Sequence, residues 1–400
     1  MRILMLSWEY PPNIVGGLGA HVGALAPALA RRGAQVYVVT SQTATTPPSS
    51  ERGNLHIIRV PTDGPMFAYS GYYDQVLRAN VSMSQTCSRL RREVDGFDLV
   101  HNHDWLTSFA AREIKHLYHV PLVATIHATE KGRGRGTLGT DQALRINEAE
   151  WHLTYDAWRV ICCTDYMARE VSSFFDAPSD KIDVIPNGID ANRFAHLEGQ
   201  DLSAFRAQYV RPHEKLILYV GRMVYEKGGD ILVRAARQVI SQVPEARFVI
   251  AGRGPELEHL RELVDRLDLR EFVNLAGFVD DDTRDKLYMT ADCAVFPSRY
   301  EPFGIVALEA MAAHTPVVAS DVGGLREVVR HAETGITTYS DSPESCAWGI
   351  VHTLEHPEWT QQRVANAYRA LLARFSWDTI AAQTLDVYQR VLEERAQTDW

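Results

Sequence analysis

The sequence predicts an α/β protein made of two doubly wound units in series. Three observations carry that expectation. Short apolar runs recur along the whole chain, helical stretches separate them, and the series restarts once after the turn Asn187-Gly188-Ile189-Asp190. Runs that are apolar almost throughout, rather than at every second position, belong to parallel strands covered on both faces. Strands alternating with helices imply a doubly wound sheet.

In the first series the strands are RILML (2–6), QVYVVTS (35–41), HIIRV (56–60), LVHN (99–102), PLVATIH (121–127), RVICCT (159–164) and IDVIP (182–186). Helices are expected between them, among them GAHVGALAPALARRG (19–33) and INEAEWHLTYDAW (146–158). The second series has strands at KLILYVG (215–221), ARFVIAG (246–252), FVNLAG (272–277), CAVFPS (293–298), PVVAS (316–320) and GITTY (335–339). Its helices include KGGDILVRAARQVISQ (227–242) and PELEHLRELVDRL (255–267). A closing amphipathic helix runs from Ser376 to Leu392, with Trp377, Ile380, Leu385, Tyr388 and Leu392 on one face. The expected domains are 1–190, 191–375 and a tail 376–400, with the hinge near 188–200. Two facing doubly wound domains make an interdomain cleft, and ligands on such sheets bind beyond the carboxyl ends of the strands. The residues just after each strand are therefore the ones to inspect for chemistry.

Composition bounds the rest. The chain has 400 residues, is 46% hydrophobic and 23% charged, and carries a net charge of −10. That charge argues against a nucleic-acid footprint, which needs a basic face. Cys87, Cys162, Cys163, Cys293 and Cys346 form no CxxC pair, which suits a reducing, cytoplasmic setting. No leader-like apolar segment follows Met1, and no run of about eighteen apolar residues occurs, so no transmembrane segment is expected. A peripheral membrane contact and the oligomeric state stay open.

Several strand ends carry candidate chemistry. The first strand leads into Gly16, Gly17 and Gly19 ahead of a helix, either a phosphate loop or a tight turn. The spacing is GGxG, and no acidic residue closes the next strand, so this is not the dinucleotide fingerprint GxGxxG. Arg222 and Lys227 stand between a strand end and a helix start, where fixed cations could stabilise a diphosphate leaving group. In SRYEPFGIVALE (298–309), Glu301 and Glu309 bracket Gly304, the expected helix start. The N–H groups of Gly304, Ile305 and Val306 would then face an anion. His127 ends one strand, while His101, His103 and Asp104 end another; the HxH pair lacks a third ligand at recognised spacing, so no metal is expected. Lys131, Arg133 and Arg135 form a flexible basic loop, a cover for the cleft or a solvated linker. Tyr69, Tyr72 and Tyr73 read as a packed loop, with sugar stacking as the alternative.

Together these motifs resemble one family. GGLGAHV, HNHDW, TIHATE, VIPNGID, YVGRMVYEKG, AGRGPE, SRYEPFGIVALEAMA, PVVASDVGGLREVV and FSWDTIA, in that order, look like a family 4 glycosyltransferase of the GT-B architecture, two Rossmann-like domains. SWEYPP, GGLG, HDW and IHATE favour the glycogen synthase-like branch, which makes α-1,4-glucan. Ile14 and Val15 precede the paired glycines here, whereas the longer bacterial glycogen synthases carry a lysine two positions before them. The resemblance implies a retaining transferase that needs no metal or other cofactor and takes glucose from ADP- or UDP-glucose to a carbohydrate acceptor. It implies that Arg222 and Lys227 bind the diphosphate, with Gly16, Gly17 and the backbone of Ile305 and Val306 around the same phosphates. Glu309 would hold the ribose; Glu301 with the backbone of Phe303 and Gly304 would hold the transferred sugar, and His127 would sit beside its anomeric centre or 6-hydroxyl. The closing helix would pack on the first domain. Transfer of another sugar to a lipid, polysaccharide or small acceptor is the alternative; a sugar-nucleotide epimerase on the same architecture and a nicotinamide oxidoreductase are weaker ones.

Overall fold

The computed structural model describes residues 1–43, 46–62 and 71–398. It contains two compact units: one is Met1–Gly188 with Trp377–Trp400, the other Ile189–Ser376. Tyr69 lies outside the described residues.

The first unit holds an eight-stranded sheet. Its strands are β1 (Arg2–Leu6), β2 (Gln35–Gln42), β3 (Ser49–Arg52), β4 (Leu55–Pro61), β5 (Leu99–His103), β6 (Leu122–Ile126), β7 (Arg159–Cys162) and β8 (Ile182–Val184). Their spatial order is β3-β4-β2-β1-β5-β6-β7-β8, parallel everywhere except the β3/β4 edge. The antiparallel β3 was not expected from sequence: SSER is polar and all four residues are exposed, so no apolar run announces it. The parallel strands are the near-continuous apolar runs, and Ile3, Met5, Val36, Val38, Leu99, Val123 and Ile161 enter one buried cluster.

The closing helix spans Trp377–Ala396, four residues beyond the expected end, and completes this cluster with Ile380, Val387, Tyr388 and Val391. Val391, rather than Leu392, supplies the last buried turn. Glu394 fixes its far end by accepting from Trp158 Nε1 at 2.7 Å and Arg159 Nη2 at 2.6 Å. Two loop expectations are corrected. Tyr72 and Tyr73 begin a long helix, Tyr72–Glu93, where Tyr73 stacks on Trp105 at 5.5 Å. The stretch expected as a flexible basic loop contains a short helix, Glu130–Arg133, because Thr129 Oγ1 caps the Gly132 N–H at 2.9 Å and Lys131 packs over the Phe174 ring.

The second unit holds six strands: β9 (Lys215–Val220), β10 (Ala246–Ala251), β11 (Val273–Gly277), β12 (Cys293–Phe296), β13 (Val317–Ser320) and β14 (Ile336–Thr338). All are parallel, in the order β11-β10-β9-β12-β13-β14. Counted from β9, this is the doubly wound order 3-2-1-4-5-6, whose direction of winding reverses between β9 and β12. Helices Gly229–Gln242, Leu257–Arg266 and Pro343–Glu355 supply its core through Ile231, Leu232, Leu260, Leu263, Ile350 and Val351. All five cysteines are buried. Among the described residues no helix is long and apolar enough to cross a membrane.

Candidate active site

The winding reversal between β9 and β12 is where a doubly wound sheet opens a crevice at its strand ends. The segment after β9 carries Arg222 and Lys227; the segment after β12 carries Glu301. Backbone geometry draws them together. Gly228 has φ +67°, and a Cβ there would stand 2.0 Å from the carbonyl oxygen of Pro297, so only glycine lets the two loops meet this closely. The N–H groups of Arg299 and Tyr300 donate to the Glu226 carbonyl at 2.8 and 3.2 Å. Arg299 adds a bidentate pair to Asp230, both contacts at 2.8 Å, and lies over the Tyr225 ring. The result is a direct contact between Lys227 Nζ and Glu301 Oε2 at 2.6 Å, with both side chains mostly buried.

Glu301 is also fixed through its backbone, since its carbonyl accepts from Gly324 N–H at 2.8 Å. Three residues on, Gly304 caps helix Ile305–Ala312 with φ +107°, a conformation L side chains avoid, and a Cβ there would meet Leu325 Cδ2 at 2.6 Å. The first N–H groups of that helix, at Ile305 and Val306, are among those an α-helix leaves without an internal carbonyl, so this end favours an anion. Phe303 is buried edge-on against Phe375.

Glu309 lies deeper in the same helix and is engaged within the protein. Arg193 Nη1 pairs with Oε1, and the Tyr288 hydroxyl donates to Oε2 at 3.2 Å. The same guanidinium grips Asp285 with contacts of 2.6 and 3.1 Å. Burial holds the Tyr288 hydroxyl well above its usual range, and the Glu309 charge adds to that. Arg193, Asp285 and Tyr288 were missed in the sequence, because no fixed spacing links them to Glu309; only the position of Arg193 just after VIPNGID hints at a role. Arg222 is half exposed, and its partner is Glu226 at 3.5 Å.

The first unit places Gly16 and Gly17 at the start of helix Gly17–Arg31. The N–H groups of Val15 and Gly16 are already met by the carboxylate of Glu9, at 2.8 and 3.1 Å, a partner the glycine spacing did not reveal. Beyond β5 and β6 lies a histidine cluster. His101 is saturated: its Nδ1 meets the Tyr388 hydroxyl at 2.5 Å and its Nε2 the Thr125 hydroxyl at 2.7 Å. His103 Nδ1 lies 3.1 Å from His127 Nε2, and His21 Nδ1 lies 2.7 Å from Asn187 Oδ1. Burial pushes His21, His101 and His103 well below the usual imidazole range. Burial, with the nearby Arg133 charge, takes His127 down to about 3. Asp104 Oδ1 accepts the His127 backbone N–H at 2.7 Å; burial pushes this carboxyl up to about 6 despite Arg133 and its backbone donors.

The fold and these strand-end sites define a class: a glycosyltransferase of the GT-B type. Comparison with known proteins agrees. Residues 15–193 match the family model for Glycosyltransferase Family 4, and residues 203–370 match Glycosyl transferases group 1. An uncharacterized glycosyltransferase of Methanocaldococcus jannaschii is 40% identical over 398 residues, covering 98% of this chain and 99% of that one. The glycogen synthase of Mycobacterium tuberculosis is 34% identical over 402 residues, covering 97% and 94%. Among solved structures, sucrose-phosphate synthase from Thermosynechococcus elongatus superposes with a TM-score of 0.83 at 24% identity, covering 98% and 99%, a likeness of fold. The chain belongs to glycosyltransferase family 4.

Proposed function

We propose that this glycosyltransferase is a retaining α-glucosyltransferase, moving glucose from ADP- or UDP-glucose to an α-1,4-glucan. The observation that carries the donor part is the Lys227–Glu301 contact beside the Gly304 helix start: a cation, a carboxylate and free backbone N–H groups at one winding reversal. An ammonium has three donors, so Lys227 can keep Glu301 and still reach a phosphate oxygen. Arg222 and the N–H groups of Ile305 and Val306 would share the diphosphate charge, a preorganised stabilisation of the leaving group. Glu301 would hold the hydroxyls of the transferred glucose and support the oxocarbenium-like state. Glu309, positioned by Arg193, would face the ribose. The glucan part rests on likeness to a glycogen synthase across nearly the full chain.

In the proposed step the bond from the anomeric carbon to the diphosphate oxygen breaks. The acceptor hydroxyl attacks the same face, and its proton passes to the departing diphosphate oxygen, so configuration is retained. The test is a donor panel measuring nucleoside-diphosphate release with and without maltooligosaccharide. Glucan-dependent release from a glucose donor, with elongation of the acceptor through α-1,4 bonds, is the expected result. Absence of elongation with every glucose donor would sink the assignment.

A further inference from the structure

The first unit buries two imidazole nitrogens that no protein donor or acceptor engages among the described residues. His21 Nε2 and His103 Nε2 are buried without a hydrogen-bond partner among the described residues, a rare state for a polar atom inside a protein. The Asn187 amide oxygen can only accept, so His21 carries its proton on Nδ1 and presents a bare lone pair at Nε2. Metal-bound histidines are held in this way, one ring nitrogen fixed by a neighbouring acceptor and the other turned to the ion. The 3.1 Å contact between His103 Nδ1 and His127 Nε2 uses one lone pair: with His103 Nδ1 as donor, His103 Nε2 carries a second bare lone pair, and His127 Nε2 becomes a ligand only when ring rotation opens that contact.

We propose that His21, His103 and His127 form a binding site for a borderline divalent transition ion, of which Zn²⁺ is the natural example. Their ligand nitrogens all lie within 4.8 Å of one another. Zinc–imidazole bonds of about 2.0–2.1 Å set tetrahedral nitrogens roughly 3.3 Å apart, so rotation of the rings by an ångström or so closes the trio. Three imidazoles with no carboxylate suit zinc, cobalt, nickel or copper rather than magnesium or calcium. His101, though its ring centroid lies only 4.2 Å from that of His103, is no ligand because both its nitrogens are bonded elsewhere. The HxH spacing therefore supplies one ligand, not two, and the fold brings the others from helix Gly17–Arg31 and from the end of β6. His21 and His103 are buried and His127 half-buried, so ion entry and an open fourth position belong on the His127 side. The proposal does not rest on which sugar is transferred, but it shares His127 with the role that the family resemblance implies beside the transferred sugar, so a bound ion would compete for that imidazole.

The test uses the full chain, stripped with chelator and titrated with Co²⁺ and Zn²⁺. One equivalent of Co²⁺ should give the absorption bands of a tetrahedral site. Affinity should fall at least tenfold in His21→Gln and in His103→Gln. Zn²⁺ should raise the unfolding temperature of the wild type and not of those variants. The exposed neighbours His352 and His356, whose rings lie 4.3 Å apart, are the competing adventitious site, so the double variant His352→Gln/His356→Gln should bind as the wild type does. Absence of saturable one-to-one binding, or binding lost only in the His352/His356 variant, overturns the proposal. Should the buried variants fail to fold, zinc-edge absorption of the loaded wild type decides: three imidazoles around the ion support the site, two or fewer refute it.

Discussion

Replacing Lys227 by Met tests the donor site and its energetics at once. Lys227 and Glu301 meet at 2.6 Å with side-chain exposures of 19% and 11%. Removing one member of a fully buried pair costs about 3–5 kcal/mol, because the remaining charge is left without a partner. Lys227 keeps some access to water, so a loss of about 1–3 kcal/mol is expected here. For a unit of this size that lowers its melting temperature by roughly 3–10 °C, readable by calorimetry. Turnover should fall by more than stability can explain: at least a hundredfold in kcat/KM, which is about 2.7 kcal/mol of transition-state stabilisation. The double variant Lys227→Met/Glu301→Gln separates the two effects. It removes the orphaned charge, so it should melt closer to the wild type while remaining as inactive as the single variant. Near-normal kcat/KM in Lys227→Met would remove this lysine from the diphosphate site. Failure of the double variant to recover stability would refute the ion-pair reasoning.

Other consequences follow from the same geometry. Gly304→Ala must bear a side chain at φ +107° with its Cβ 2.6 Å from Leu325, so it should lose about 1–3 kcal/mol and raise KM for the donor. Wild-type melting and kinetics would refute the helix start drawn there. Arg193→Met leaves Glu309 with only the Tyr288 hydroxyl, whereas Asp285 retains Arg284 at 3.3 Å; with Arg193 as exposed as Lys227, a loss of about 1–3 kcal/mol in chemical denaturation is expected, and no measurable loss would be inconsistent with a buried network. Acid should destabilise the metal-free first unit. Folded His21, His101 and His103 titrate well below 6.5 and His127 near 3, so below about pH 6.5 the unfolded chain binds more protons and stability falls with pH. Each ring contributes a slope of up to about 1.4 kcal/mol per pH unit. Asp104 and Glu150, a carboxyl in helix Asp141–Asp156 that burial also pushes up, bind protons first in the folded state and oppose two of the four rings. The net is a loss of at most about 3 kcal/mol per unit between pH 6 and pH 5. Denaturation midpoints that stay flat over that range would contradict the burial of the histidines.

Much of the architecture was legible because parallel strands covered on both faces must be apolar throughout, and thirteen such runs stand between helical stretches. What escaped had no apolar signature: β3 is four exposed polar residues, and helix Tyr72–Glu93 opens on aromatics that also read as a loop. At the candidate site, the residues near one another in sequence were visible. Glu301, Gly304 and Glu309 fall within one short segment, and Arg222 and Lys227 within another. The partners that fix them were not. Arg193 reaches Glu309, Glu9 reaches the N–H groups ahead of Gly17, and His21 joins His103 and His127 only through the packing of a helix on a sheet. Long-range pairings of this kind leave no periodicity behind, whereas strand ends and helix starts do.

One asymmetry among the basic residues of the second unit leads to a division of labour. Lys227 is held by Glu301 at 2.6 Å, Arg299 by Asp230 and Asp341, and Arg193 by Glu309 and Asp285. Each of these charges is neutralised within the protein before any donor arrives. Arg222 differs: it is 47% exposed, and its contact with Glu226 is 3.5 Å long. Such a pair is worth at most about 1 kcal/mol and yields easily to a stronger anion. In the proposed reaction a diphosphate can therefore recruit Arg222 at little cost, while Lys227 must share itself with Glu301. Under that proposal Arg222 would act mainly in capturing the ground-state donor, and Lys227 mainly in stabilising charge as the bond breaks. Uniform binding appears in KM, and interactions made only in the transition state appear in kcat. Arg222→Ala should therefore raise donor KM roughly tenfold with kcat changed by less than about threefold, and should leave the melting temperature within about 1 °C. Steady-state kinetics over a range of donor concentrations checks this. If Arg222→Ala instead lowers kcat as deeply as Lys227→Met with KM unmoved, both cations act on the transition state and the division fails.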